Sequence, residues 1–234
     1  MRLHRFYIQN ENFETLNPGD SFVCKDSEVV KQVSLVLRAQ IGDNVRFFNE
    51  TGEIELIIQA ISKKELICVA QKHIKPLIQK KKVYLLQSLI KKDKFEWVAQ
   101  KATEIGVTDI IPVISERSEK RGIDQKRLQK IIKEATEQSG WGRVPEVHQI
   151  MLLSESLVHL KKEGVKIYNL DMDGVREIKN KEDDLAIYIG PEGGWGEQDK
   201  ELFKKSSVEK VSVGDSVLRA ETAAIIGVYL FTNK

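Results

Sequence analysis

Cysteine is nearly absent from this chain, with Cys24 and Cys68 the two present among 234 residues. They stand far apart, without ligand spacing and with only four histidines to join them. Neither a disulfide framework nor a zinc site is expected, and both read as reduced structural thiols. No apolar run reaches the length of a membrane span, and Met1-Arg2-Leu3-His4-Arg5-Phe6 lacks the apolar core of a signal peptide. The expectation is a cytoplasmic protein with no membrane partner and no metal. Phosphate-loop patterns are missing as well. There is no G-x-x-x-x-G-K-[ST], and the glycines at 190, 193, 194 and 196 do not give G-x-G-x-x-G. A nucleotide-binding metabolic enzyme with a doubly wound sheet would need such loops. A G-x-S-x-G elbow and an H-E-x-x-H pair are likewise absent.

What the chain does have is unevenly placed charge. The net charge is only +2, but residues 73–145 carry sixteen Lys and Arg against nine Asp and Glu, and the flanking segments are acidic. A solvated helix face explains any single lysine. The concentration at Lys80-Lys81-Lys82, Lys91-Lys92 and Lys126 to Lys133 also suits a polyanion such as nucleic acid.

The first seventy residues read as short strands at 5–8, 21–24, 44–48, 54–61 and 65–70, separated by turn signals such as Asn17-Pro-Gly-Asp20. A small β-barrel is expected, interrupted by a helix from Val29 to Ala39 with Val29, Val33, Val36 and Leu37 on one face. His73 to Lys82, with Pro76 and a charge run, is the junction. After it the pattern alternates between strands and helices. Strands are expected at 83–87, 110–114, 147–150, 166–170, 185–189 and 211–213. Helices are expected from Asp93 to Gly106, at 124–139, 154–162, 197–205 and 220–231. Phe95, Val98, Ala99, Ala102 and Ile105 recur at helical spacing, as do Leu128, Ile131, Ile132 and Ala135. This alternation predicts a mostly parallel sheet covered on both faces, an α/β fold.

Two loops stand out. Leu185 to Ile189 runs directly into Gly190-Pro-Glu-Gly-Gly-Trp-Gly196, and Val211-Ser-Val-Gly-Asp-Ser-Val-Leu-Arg219 again joins a strand to a helix. Glycines at these positions let backbone approach a ligand closely, and two such loops point to one pocket.

These stretches also carry a resemblance. I-G-P-E-G-G-W-G at 189–196, V-x-V-G-D-S-V-L-R-A-E-T-A-A at 211–224 and E-A-T-E-Q-S-G at 134–140 resemble the RsmE family of small-subunit ribosomal RNA methyltransferases. M-R-L-H-R-F at the N-terminus, V-L-R at 36–38, K-A-T-E-I-G-V at 101–107 and S-E-R-S at 115–118 follow the same order. The resemblance implies a PUA-like RNA-binding β-barrel over residues 1–72. Over residues 73–234 it implies a SPOUT methyltransferase domain with a trefoil knot, which general topology rules would not anticipate. It further implies an S-adenosyl-L-methionine-dependent enzyme that methylates N3 of a uridine in 16S rRNA, within the small ribosomal subunit, and a two-fold homodimer. A catalytically inactive or differently targeted SPOUT RNA-binding protein is the alternative. Intact glycine loops and Arg219 argue against it.

For residue roles, the resemblance implies that Gly190, Gly193, Gly194 and Gly214 hold the cofactor against backbone. Val213, Val217 and Leu218 would wall it, with Leu170 as a further candidate that also suits the core. Uridine N3 is a poor nucleophile while protonated. Arg219, just before a helix start, is placed to bind a uracil oxygen and favour the anion. Glu221 is assigned either to catalysis or, with Thr222, to capping that helix, and Glu192 to a proton, a cofactor amine or the loop itself. Arg5, Arg38, Arg117, Arg143 and Trp141 are the expected RNA contacts. Trp141 and Ser216 stand where the family usually has arginines, which alters the expected phosphate contacts.

Overall fold

The computed structural model describes residues 4–118, 122–176 and 183–232, so Met1, Arg2 and Leu3 of the N-terminal motif lie outside the described residues. The chain divides into two units, Met1–Ile78 with Thr136–Arg143, and Gln79–Ala135 with Val144–Lys234.

In the first unit, strands β1 (His4–Tyr7), β2 (Ser21–Cys24), β3 (Asn44–Asn49), β4 (Gly52–Ile61) and β5 (Leu66–Ile74) form a sheet in the order β1-β3-β4-β5-β2. β1 lies parallel to β3, and the other pairs are antiparallel. The path is open, since no β1–β2 ladder closes it among the described residues. Alternation along the strands sends Phe6, Phe22, Val45, Phe47, Leu56 and Ile58 into one core. Cys24 and Cys68, distant in sequence, sit on adjacent strands and are both buried. Burial, reinforced by Cys24, pushes the Cys68 thiol up to about 12, so it stays protonated.

One element of this unit departs from the sequence pattern. Helix α1 (Ser27–Lys31) starts where Asp26 accepts hydrogen bonds from the N–H groups of Glu28 and Val29. Its continuation, Gln32–Val36, is a wider π-type turn in which Leu37 N–H reaches back to Gln32 O. The extra residue in the turn carries Val36 off the buried stripe. Val36 is 72% exposed, and Val30 is buried in its place.

The second unit is a wholly parallel sheet. Its strands are β6 (Val83–Ser88), β7 (Asp109–Ile114), β8 (Glu146–Val147), β9 (Met151–Leu152), β10 (Lys166–Val175), β11 (Leu185–Ile189) and β12 (Glu209–Val211). They run in the order β12-β10-β11-β6-β7-β8, with β9 also on β7. Central strands β6 and β11 are buried along their whole length, as a doubly covered parallel strand requires. Val83, Leu85, Leu185, Ile187 and Ile189 face helices α2 (Lys92–Glu104), α3 (Gln125–Ser139) and α6 (Ala220–Thr232). Tyr84, Leu86, Ala186 and Tyr188 face α4 (Leu153–Glu163) and α5 (Glu197–Lys205).

The single strand expected at 147–150 is instead two short ones, β8 and β9. Ile110 turns its carbonyl toward this edge, accepting from His148 N–H at 3.0 Å. Two residues further on, Pro112 faces the same edge and has no N–H, so the ladder breaks there. β12 also ends at Val211 rather than Val213, which releases Ser212 and Val213 into the following loop.

Candidate active site

β10 pairs with both β11 and β12, so the carboxyl ends of these three strands lie side by side. A cavity of about 540 Å³ opens beyond them, at the edge of a parallel sheet where ligands commonly bind. Both glycine loops line it. Gly190, Glu192 and Gly194 come from the first, and Val213, Gly214, Val217 and Leu218 from the second. Leu170 lines it from the middle of β10, and Arg219 from the end of the second loop.

The first loop is held from three directions. Gly194, at φ +66°, closes a turn by donating to Pro191 O at 2.9 Å. Trp195 buries its ring edge-on against Phe203 at 4.8 Å and donates through Nε1 to Leu170 O at 3.4 Å. Asp199, in the first turn of α5, is buried and accepts from Gly196 N at 3.0 Å and from Glu116 N at 3.2 Å. Glu116 reciprocates by accepting from Gln198 N at 2.9 Å. The S-E-R-S motif therefore braces the start of α5. From the same motif, Arg117 donates to Gly193 O at 2.9 Å. Gly193 itself does not line the cavity.

The second loop is tied by Ser212, whose Oγ donates to Gly214 O at 3.0 Å. Of its apolar residues, Val217 is 84% exposed, whereas Val213 and Leu218 are half-buried. Arg219 is exposed, and its guanidinium has no partner among the described residues. Asp171, Met172 and Lys200 also line the cavity. Two carboxylates and two cations thus face an otherwise apolar space.

Glu221 does not line this cavity. It borders a smaller one with Asp93, Lys94 and Trp97. Lys94 Nζ lies 3.6 Å from Glu192 and 3.3 Å from Glu221, linking the rims of the two spaces. Sequence reasoning missed Lys94, because a lysine in the first turn of α2 gives no local signal that it will meet loops a hundred residues away. Asp171 and Met172 were hidden because β10 was expected to end at Leu170.

The expected RNA contacts fall into different environments. Arg38, with φ +52°, and Arg143 are exposed on the first unit, and Trp141 is half-buried there. Arg5 is committed to structure instead. It grips Glu53 with Nε at 2.9 Å and Nη2 at 2.7 Å, and donates to the carbonyls of Thr136, Glu137 and Trp141. Its guanidinium stacks 4.0 Å above Phe48, so no N–H is left for a phosphate.

A different group bears on the expectation of no metal. Asp109, Glu146 and His148 bring ligand-type atoms within 4.8 Å of one another. His148 Nε2 is already 2.9 Å from Asp109 Oδ1, so these two side chains satisfy one another by a hydrogen bond.

A parallel sheet with two glycine loops at its carboxyl ends matches the RNA methyltransferase domain, whose family model covers residues 78–231. The ribosomal RNA small subunit methyltransferase E of Rickettsia conorii is 30% identical over 97% of this chain and 94% of its own length. The Bacillus subtilis protein of the same name is 30% identical over 95% of this chain and 93% of its own. The chain belongs to this ribosomal RNA small subunit methyltransferase E family. Among solved structures, the Neisseria gonorrhoeae member bound to S-adenosyl methionine superposes with a TM-score of 0.87 at 26% identity, covering 98% of this chain and 96% of that one. A putative methyltransferase from Legionella pneumophila in complex with the same cofactor gives 0.85 at 28% identity, covering 99% and 97%.

Proposed function

We propose that this chain transfers the methyl group of S-adenosylmethionine to N3 of a uridine in 16S ribosomal RNA, acting within the small ribosomal subunit. The observation that carries this reading is the convergence of both glycine loops and Arg219 on one cavity. At about 540 Å³ the cavity has the size of a small-molecule site, and its mix of apolar wall, two carboxylates and two cations suits an adenosyl group joined to a charged amino-acid tail. A triphosphate would meet Asp171 and Glu192 without a phosphate loop to offset them.

S-adenosylmethionine supplies an electrophilic methyl group. The protein supplies position and charge. Gly190, Gly194 and Gly214 would offer backbone to it, with Gly193 holding the loop through Arg117, while Leu170, Val213, Val217 and Leu218 would wall the adenosyl end. Glu192 and Asp171 are placed to receive the amine. Arg219 binds a uracil oxygen, orients the base and favours its anion, and Glu221 lies two residues further on as a candidate proton acceptor. Arg38, Arg117, Arg143 and Trp141 remain the candidates for RNA phosphates and bases.

The same reading assigns residues 1–72 to a PUA-like barrel that carries RNA and residues 73–234 to a knotted SPOUT domain. It also makes the enzyme a cytoplasmic homodimer that uses no metal. Among the described residues, no helix is long and apolar enough to cross a membrane. The primary test is calorimetry with S-adenosylmethionine, paired with Arg219→Ala. Cofactor binding is expected to persist in the variant within a few-fold, while methyl transfer to unmethylated small subunits falls by about 100-fold or more, the scale of losing one electrostatic transition-state contact. Unchanged turnover would refute the role of Arg219, and no binding at millimolar cofactor would refute the function.

A further inference from the structure

We infer that the target uracil is seated in the smaller cavity, against Trp97, with its imide edge read by Lys94 and Glu221; this rests on the reading of the chain as a uridine methyltransferase. The cavity measures about 340 Å³ and is lined by Asp93, Lys94, Trp97 and Glu221. It is next to the cofactor space by covalent connection as well as by contact. Arg219 and Ala220 line the larger cavity, and Glu221 follows them directly. Lys94 then ties Glu192, on the rim of the larger space, to Glu221 in the smaller.

The chemistry of the four residues selects a base rather than a phosphate. Two carboxylates and one ammonium give the cavity a net negative character, which repels a phosphate and leaves a neutral ring with N–H donors as the suitable guest. Lys94 and Trp97 are three residues apart on α2 and so are neighbours on its surface. Trp97 is 44% exposed, unusual for an indole with no place in the core, and an exposed ring beside a cavity is a stacking platform.

The hydrogen-bonding pattern fits one edge in particular. The imide edge of uracil presents acceptor, donor, acceptor through O4, N3–H and O2. Its complement is donor, acceptor, donor. Lys94 Nζ supplies one donor and the Glu221 carboxylate an acceptor, side by side at 3.3 Å, which meets two adjacent positions of that edge. Glu221 Oε2 is closed off inside the protein, so the acceptor this carboxylate offers a base is its other oxygen, the one beside Lys94. Cytosine places an acceptor at N3 and an amine at C4, so it would meet Glu221 and Lys94 with the wrong polarity.

The test uses the full chain and unmethylated small ribosomal subunits from a strain lacking the gene. Trp97→Ala is expected to raise KM for subunits about tenfold, as loss of one stacking contact does, while Trp97→Phe stays near wild type. Lys94→Ala is expected to lower kcat about tenfold, with Lys94→Arg restoring most of it. Both Trp97 variants should keep the wild-type affinity for S-adenosylmethionine in calorimetry, since of the two residues only Lys94 is paired with Glu192. The inference is overturned if Trp97→Ala and Lys94→Ala retain wild-type kcat and KM, or if Trp97→Ala loses cofactor affinity and transfer together, as a general structural defect would. A wild-type protein that binds no cofactor would instead sink the functional reading, and this inference with it.

Discussion

Arg5 shows how a residue can match a family position and still have its chemistry spent elsewhere. The sequence marks it as a basic residue at the start of a strand, which suits a phosphate. Its fate depends on Glu53, 48 residues away and 3% exposed, which no local pattern reveals. Arg5→Ala would strand that carboxylate with only Arg46, at 3.8 Å, nearby. A loss of about 3 kcal/mol in stability is expected, measurable by urea denaturation. Arg219 was legible for the opposite reason, since its loop, its following helix and its exposure are all local properties. His148 supplies a pH dependence. The hydrogen bond with Asp109 is the main cause that holds its pKa above the ordinary 6.5, against desolvation, which lowers it. A folded pKa above the unfolded one stabilises fully below pH 6.5, and this contribution fades as pH rises through the folded value. Thermal melts from about pH 5.5 to 8.5 should show that loss, and Asp109→Asn should flatten it.

Among the elements, helices with a clean apolar stripe were readable to within a residue or two. Phe95, Val98, Ala99 and Ala102 of α2 are all buried as their spacing predicts. The exceptions have identifiable causes. The wide turn after Lys31 depends on backbone hydrogen bonding that side-chain periodicity cannot report. Pro112 was visible, but its effect on the neighbouring edge required knowing which way Ile110 faces. Gly174 is a third case, late in β10 beyond the expected strand. A Cβ there would lie 2.3 Å from the carbonyl carbon of Val211 and 2.6 Å from its Cα and N, so backbone rather than a flexible side chain stands in the way. Gly174→Ala is expected to cost about 3 kcal/mol by prising β12 from β10. Because β12 leads into the second glycine loop, S-adenosylmethionine affinity should fall in parallel, which calorimetry on the folded variant would register.

For the molecule as a whole, alternating strands and helices made a covered parallel sheet legible, while the basic middle segment made a polyanionic partner an expectation. Strand order was not, because the crossovers between β10, β11 and β12, and not the composition of the strands, decide which lies beside which. Nor did any pattern mark 136–143 as belonging with the first unit. The proposed homodimer belongs at this scale. Helix α6 is apolar nearly throughout, with Ile225, Ile226 and Leu230 only half-buried and Tyr229 55% exposed. A second copy covering this face is expected to give a dimer by sedimentation at micromolar concentration, and Tyr229→Asp to shift it toward monomer. A monomer in the wild type would refute the pairing.

The strand order also sets a timetable for synthesis. β6 meets β11 across an interval of 102 residues, with Val83 opposite Leu185 and Lys82 donating to Asp184. At a translation rate of about 5–20 residues per second, β6 waits roughly 5–20 s with one edge unpaired. An unpaired central strand is a template for aggregation, so the nascent chain is expected to lean on chaperones and to refold slowly from denaturant. The cavity, built from the ends of β10, β11 and β12, is then the last part of the molecule to come into being. A chain that stops before Glu209 can hold much of the sheet and still have no site.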